Sequence, residues 1–177
     1  MHLVRAVYYA RNAIRKRDLA FSAEAKSIMA AIRRNNAAAS LTGALVFNEH
    51  YFAQVIEGDR YQVSRTLWRI GEDRRQEDMV IVAVDSVTRR RFADWAMGYA
   101  GQSDELAGLY LRFGIVVGFD PARMTAESLT GLIAAMVEMD SARQLAGSLA
   151  DASDARAPLG QGDKRPSPAG FAPGPAY

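Results

Sequence analysis

The chain has 177 residues, 49% of them hydrophobic, which is enough apolar content for one sizeable core and favours a single domain with appendages. It contains no cysteine, which excludes disulfides, thiolate nucleophiles and thiolate metal sites; its two histidines, His2 and His50, lack ligand-like spacing and read as surface or strand-end residues, so no metal is expected. A net charge of +2 is too mild to imply nucleic-acid binding unless arginines cluster on one face, and neither an apolar run of membrane length nor a cleavable leader is visible. The expectation is a cytoplasmic protein that binds neither nucleic acid nor membrane.

Residues 3–10, LVRAVYYA, are rich in β-branched and aromatic side chains without a helical stripe and predict a strand. The polar stretch from Arg11 to Asp18 breaks this pattern. From Ser22, a candidate N-cap, Ala25, Ile28, Met29 and Ile32 recur at i, i+3, i+4 and i+7, the stripe of an amphipathic helix reaching Asn35 or Asn36. The runs TGALVFNE and YFAQVIEG flank a tight polar connection near Asn48 to His50, as in a hairpin, although Asn-Gly or Asp-Gly is missing. Asp59 and Gln62 resemble a capping box, ahead of a second helix striped by Val63, Leu67 and Ile70.

MVIVAV at 79–84 predicts a strand buried on both faces, and Trp95 to Tyr99 a short last strand. The order βαββαββ suits an α+β, ferredoxin-like mixed sheet with both helices on one face. Residues 104–113 and 125–146 predict a C-terminal helical cap whose stripe, Leu129, Leu132, Ile133 and Met136, must bury against the sheet's free face or a partner subunit. From about Asp151 the composition shifts to Ala, Asp, Gly and Pro, which predicts disorder. The expected organisation is therefore a sheet domain over 1–100, a helical cap over 101–150 and a tail over 151–177.

Within this frame a few polar residues stand out. Period-two alternation puts Phe52, Gln54 and Ile56 on one strand face, so the Gln54 carboxamide is half or fully buried. Unpaired, it would cost roughly 1–3 kcal/mol, and it needs a partner, either backbone at a sheet edge or a bound ligand. Tyr8 shares its face with the smaller Val4, Ala6 and Ala10, which leaves room beside the phenol for something planar; a plain core tyrosine is the other reading. Asn35 and Asn36 fit helix C-capping, and Arg69, Asp73 and Arg75 a solvated ion-pair face on or after the second helix. Arg89, Arg90 and Arg91 read as a solvated turn, and Trp95 with Met97 as ordinary packing on one strand face.

None of these is specific alone, but the set in its order, with LVRAVYYA, RRNNAAASLTGALVF, YFAQVIEG, WRIGEDRR and RRRFADWAMG, resembles the BLUF family, sensors of blue light using FAD, over residues 3–99. The resemblance implies a flavoprotein that senses light and is not an enzyme. It places Tyr8 as the photoactive tyrosine, Gln54 as the glutamine between it and the flavin, and Asn36, with Asn35, at the isoalloxazine carbonyl edge. Ile28 and Ile70 fall where the helices clamp the ring, Arg69, Asp73 and Arg75 where polar residues border it, and Trp95 and Met97 at the switchable strand. Two departures are Ile32, where some members have serine, and Gln76, where many have histidine; neither is expected to touch the Tyr–Gln pair.

The implied mechanism is light-driven electron and proton transfer from Tyr8 through Gln54 to the flavin, after which recombination leaves the Gln54 amide rotated or tautomerised. A flavin–cysteine adduct is excluded, because there is no cysteine. Two further readings of the same topology stand beside it: an acylphosphatase-like hydrolase, which lacks a glycine-rich phosphate loop before the first helix, and a nucleic-acid-binding module, whose strands lack a stacking motif. With no output domain expected after residue 100, signalling passes to a separate downstream effector protein, and the helical cap supports a homo-oligomer.

Overall fold

The computed structural model describes residues 2–14, 21–92, 95–100, 104–113, 115 and 118–154. In chain order these form β1 (Leu3–Asn12), α1 (Phe21–Ala38), β2 (Thr42–Phe47), β3 (Tyr51–Asp59), α2 (Arg60–Gly71), β4 (Gln76–Ser86), β5 (Trp95–Tyr99), α3 (Asp104–Arg112) and α4 (Ala126–Asp154), with a 3-10 turn at Pro121–Arg123 before α4. Residues Met1–Arg143 make up one unit and Gln144–Tyr177 another; the described part of the second is the end of α4.

The described strands form a mixed sheet in the order β4-β1-β3-β2-β5, antiparallel except where β5 runs parallel to β2. This is the expected α+β, ferredoxin-like architecture. Strand alternation sorts side chains into two layers. On one face Val4, Ala6, Tyr8, Ala10 and Ile56 pack with Val63 and Leu67 of α2, and Leu45, Phe47 and Phe52 pack with Ile28 of α1. On the other, Val7, Ala44, Val46, Ala53 and Val55 meet Leu106, Leu109 and Tyr110 of α3 and Leu129, Leu132, Ile133 and Met136 of α4. The α4 stripe is therefore buried against the chain's own sheet.

Local chemistry explains the joints. The β2–β3 hairpin closes without Asn-Gly because Asn48 Oδ1 accepts from the backbone N–H of His50 at 2.9 Å and of Tyr51 at 2.8 Å, an Asx turn doing the work of a glycine turn. Asp59 is the N-cap of α2, accepting from Tyr61 N at 3.0 Å. Gly43 adopts φ +152°, and a Cβ there would lie 2.0 Å from the Val55 carbonyl oxygen, so only glycine lets β2 approach β3 at this point.

Two expectations need correction. β4 is not buried on both faces: it is the edge strand beyond β1, with Val80, Ile81 and Val84 41%, 47% and 50% exposed. A continuous apolar run reads the same in a central strand and at a rim, and only the strand order separates them. The last helix is also longer than residues 125–146, running to Asp154 and so four residues into the segment expected to be a tail; residues 155–177 lie outside the described residues. Among the described residues no helix is long and apolar enough to cross a membrane.

Candidate functional site

Tyr8 on β1 and Gln54 on β3 are direct cross-strand partners, both on the α1/α2 face and both essentially inaccessible to solvent. The Tyr8 hydroxyl donates to Gln54 Oε1. Burial pushes the phenol well above its ordinary pKa, a hydrogen bond with Gln76 opposes that push, and the Asp73 carboxylate adds to it, so Tyr8 stays a neutral proton donor. Gln54 Nε2, by contrast, is buried with no hydrogen-bond partner among the described residues. Such a donor is costly to leave unmade, and it marks the place where an acceptor from outside the protein fits.

A cavity of about 210 Å³ adjoins Gln54. Ile28, Ala31, Ile32, Asn35 and Asn36 line it from α1, and Thr66, Arg69 and Ile70 from α2. Asp73, Arg75 and Gln76, from the α2–β4 connection and the first residue of β4, complete its border. The structure thus brings together Ile28, Asn35, Asn36, Gln54, Arg69, Ile70, Asp73 and Arg75. Asn36 is buried, and it is not a terminal cap: α1 continues to Ala38, the Asn36 carbonyl accepts from Ala39 N and Leu41 N, and the left-handed residue of the turn is Ser40.

Nor are Asp73 and Arg75 a solvated pair on α2. They follow the helix, where Arg75 Nε and Nη2 bind both Asp73 carboxylate oxygens, at 2.9 and 2.6 Å for the shortest contact to each, while Arg75 Nη1 reaches Glu24 at 3.1 Å and Ser27 at 3.3 Å on α1. The pair therefore clips the α2–β4 turn to α1 across the cavity mouth. Burial alone would raise the Asp73 pKa, but the Arg75 hydrogen bonds and charge outweigh it and hold the carboxyl below its ordinary value. Glu24, Ser27, Ala31 and Thr66 join the site without belonging to any motif; their spacing on α1 or α2 relative to Ile28 and Ile70 is the available signal.

Gln76 requires a correction. Expected to stay clear of the Tyr–Gln pair, it lies with its Oε1 3.3 Å from the Tyr8 hydroxyl. Its sequence neighbours gave no hint of this, because the contact is made across β1 and β4.

Of the arginine run, Arg89 and Arg91 are exposed as a solvated turn would have them, but Arg90 is tied down. Arg90 donates to Thr42 Oγ1 at 2.8 Å, Glu57 O at 2.6 Å and Ser40 O at 2.8 Å. The fully buried Glu57 carboxylate accepts from Arg5 Nε at 2.6 Å and from the backbone N–H of Arg91 and Phe92. These bonds fasten the β4–β5 connection to β3. Beyond it, the backbone of Trp95 and Met97 lies in β5, opposite Gly43 and Leu45 of β2; their side chains lie outside the described residues. Tyr8, Gln54, Leu45 and Met97 consequently occupy one transverse row across β1, β3, β2 and β5.

Fold and site together define an α+β domain with a groove between two helices and a buried phenol–carboxamide pair whose carboxamide, Gln54, reaches that groove. Residues 3–98 match the family described as sensors of blue-light using FAD, BLUF, and the chain belongs to it. It is similar to the solved structures of BlsA in its photo-activated state (21% identity, TM-score 0.66, covering 76% of this chain and 94% of that one) and in its ground state (21%, 0.65, 76% and 87%). It is also similar to BlrB, a BLUF protein solved in its dark state (26% identity, TM-score 0.62, 76% and 96%). No curated protein matches the sequence.

Proposed function

We propose that the protein is a blue-light photoreceptor that holds FAD in the α1/α2 groove, where excitation drives electron and proton transfer from Tyr8 through Gln54 and rearranges the Gln54 hydrogen bonds. The observation that carries this reading is the buried, unpartnered Gln54 Nε2 beside a cavity, in a chain of a flavin-binding family. When bound, the flavin supplies a photo-oxidant and a ring carbonyl that can accept a hydrogen bond. Ile28 and Ile70 offer apolar walls from opposite helices, Asn35 and Asn36 offer carboxamides to a polar ring edge, and Arg69, Asp73 and Arg75 border the opening.

The division of labour follows from the two side chains. Tyr8 is neutral and hydrogen-bonded to Gln54, so loss of an electron from the phenol releases its proton directly onto Oε1. The carboxamide accepts at Oε1 and donates at Nε2, which lets Gln54 pass a proton and then turn. Return of the electron and proton restores Tyr8 with no substrate consumed, which suits sensing over turnover.

A change at Gln54 biases a two-state element. We assign that element to the β5 strand with Trp95 and Met97 and to the helices after it, within a flavin-binding region over 1–100 and a helical cap over 101–150, and we expect a separate effector protein to read it. Assembly into a homo-oligomer, expected from the cap, cannot use the α4 stripe that already covers the sheet.

Absorption spectra before and after blue light test the reading. Purified protein should carry oxidised flavin whose main visible band moves to longer wavelength without bleaching and returns in the dark. A protein that stays colourless after flavin supplementation overturns it.

A further inference from the structure

The Tyr8 hydroxyl carries one proton but faces two carboxamide oxygens, Oε1 of Gln54 and Oε1 of Gln76. One O–H serves one strong acceptor at a time. Here Gln54 holds it; the 3.3 Å separation from Gln76 is long beside the roughly 2.7–2.8 Å usual for O–H···O bonds. Gln54 meanwhile leaves its Nε2 without a partner.

A half-turn of the Gln54 amide exchanges these roles. Nε2 then faces the Tyr8 oxygen and donates to it, and the phenolic proton no longer has an acceptor on Gln54. Among the described residues, Gln76 Oε1 is the other acceptor within hydrogen-bond distance of that hydroxyl. Gln76 is held ready for it: as the first residue of β4 it stands opposite Asn12 of β1, and its backbone N–H donates to the Asp73 carbonyl at 2.9 Å. The two amides thus compete for one proton, and the orientation of the first decides whether the second is used.

We propose that Gln76 is a positioning residue for the Tyr8–Gln54 pair, accepting the Tyr8 hydroxyl when the Gln54 amide turns and thereby setting how long the turned state lasts. This rests on the photoreceptor reading above. Gln76 borders the groove, and in this role it acts through Tyr8.

The test times the dark return of the flavin band in the full chain loaded with FAD. Gln76→Leu removes the acceptor, so the light-induced shift should still form but decay about two- to tenfold faster than in the wild type. Gln76→Ala, which also lacks the acceptor, should show the same acceleration and guards against Leu failing to fit. Gln76→Glu keeps an acceptor oxygen and should recover within about twofold of the wild type. Infrared difference spectra should show the tyrosine C–O band displaced by Gln76→Leu or Gln76→Ala in the illuminated state, which a merely structural role would not do.

Unchanged recovery in both the Leu and Ala variants overturns the proposal, as does loss of the shift in variants that retain flavin, or failure of both to hold flavin. Absence of a shift in the wild type itself would instead strike at the photoreceptor reading.

Discussion

Tyr8 and Gln54 face each other as a register pair on neighbouring antiparallel strands, so the backbone ladder itself holds phenol against carboxamide. Replacing Gln54 by Leu keeps volume and removes donor and acceptor; Tyr8→Phe deletes only the hydroxyl. Both variants should still bind flavin while losing the light-induced band shift. As mere core residues they would alter stability by about 1 kcal/mol and leave the shift intact, so spectra under blue light separate the two roles.

The pH dependence of folding should have two limbs. The Asp73 pKa lies below its ordinary 3.8, so its stabilisation is present above that value and is lost as pH falls through the folded-state pKa. The Tyr8 pKa lies above its ordinary 10.0, so its contribution is present below pH 10.0 and is lost as pH rises further. Thermal melts across pH should show both declines, with Asp73→Asn flattening the acid limb and Tyr8→Phe the alkaline one.

Gly43→Ala should destabilise by about 3 kcal/mol or more, because its Cβ would enter the Val55 carbonyl oxygen and its φ of +152° suits glycine alone. Denaturant unfolding measures the loss. A variant as stable as the wild type would mean that β2 can shift away from β3 without cost.

Leu132 lies fully buried between α4 and the sheet. Leu132→Ala should cost about 2–5 kcal/mol, the range for a large-to-small change in a packed core. Chemical denaturation checks it, and a negligible loss would show that the sheet's second face does not depend on α4.

Truncation after Asp154 should leave flavin retention and the band shift unchanged, because residues 155–177 contain few large apolar side chains. Loss of flavin in that variant would place the boundary elsewhere.

The element order was legible because apolar periodicity changes from two to 3.6 along the chain, and parity alone put Tyr8 with Ala6 and Gln54 with Ile56 on one face. What periodicity does not encode is which strand becomes the rim, and so β4 read as buried. The long-range polar contacts were equally opaque. Gln76 meets Tyr8, Arg75 meets Glu24, and Arg90 meets Thr42 only through the folded topology. Glu57 did leave a trace, as the one carboxylate in the apolar run YFAQVIE, and its burial beneath Arg5 and two backbone amides accounts for it.

The transverse row through Tyr8, Gln54, Leu45 and Met97 gives the molecule a weft as well as a warp. Along the polypeptide, position 54 and position 97 are far apart, separated by α2 and β4. Across the fabric they are two strand spacings apart, roughly 10 Å. The shortest thread between them bypasses both intervening elements and ends at a selvage, β5, stitched among the described strands to β2 alone. A border held along one side has one ladder to part, where each strand beneath the groove has two.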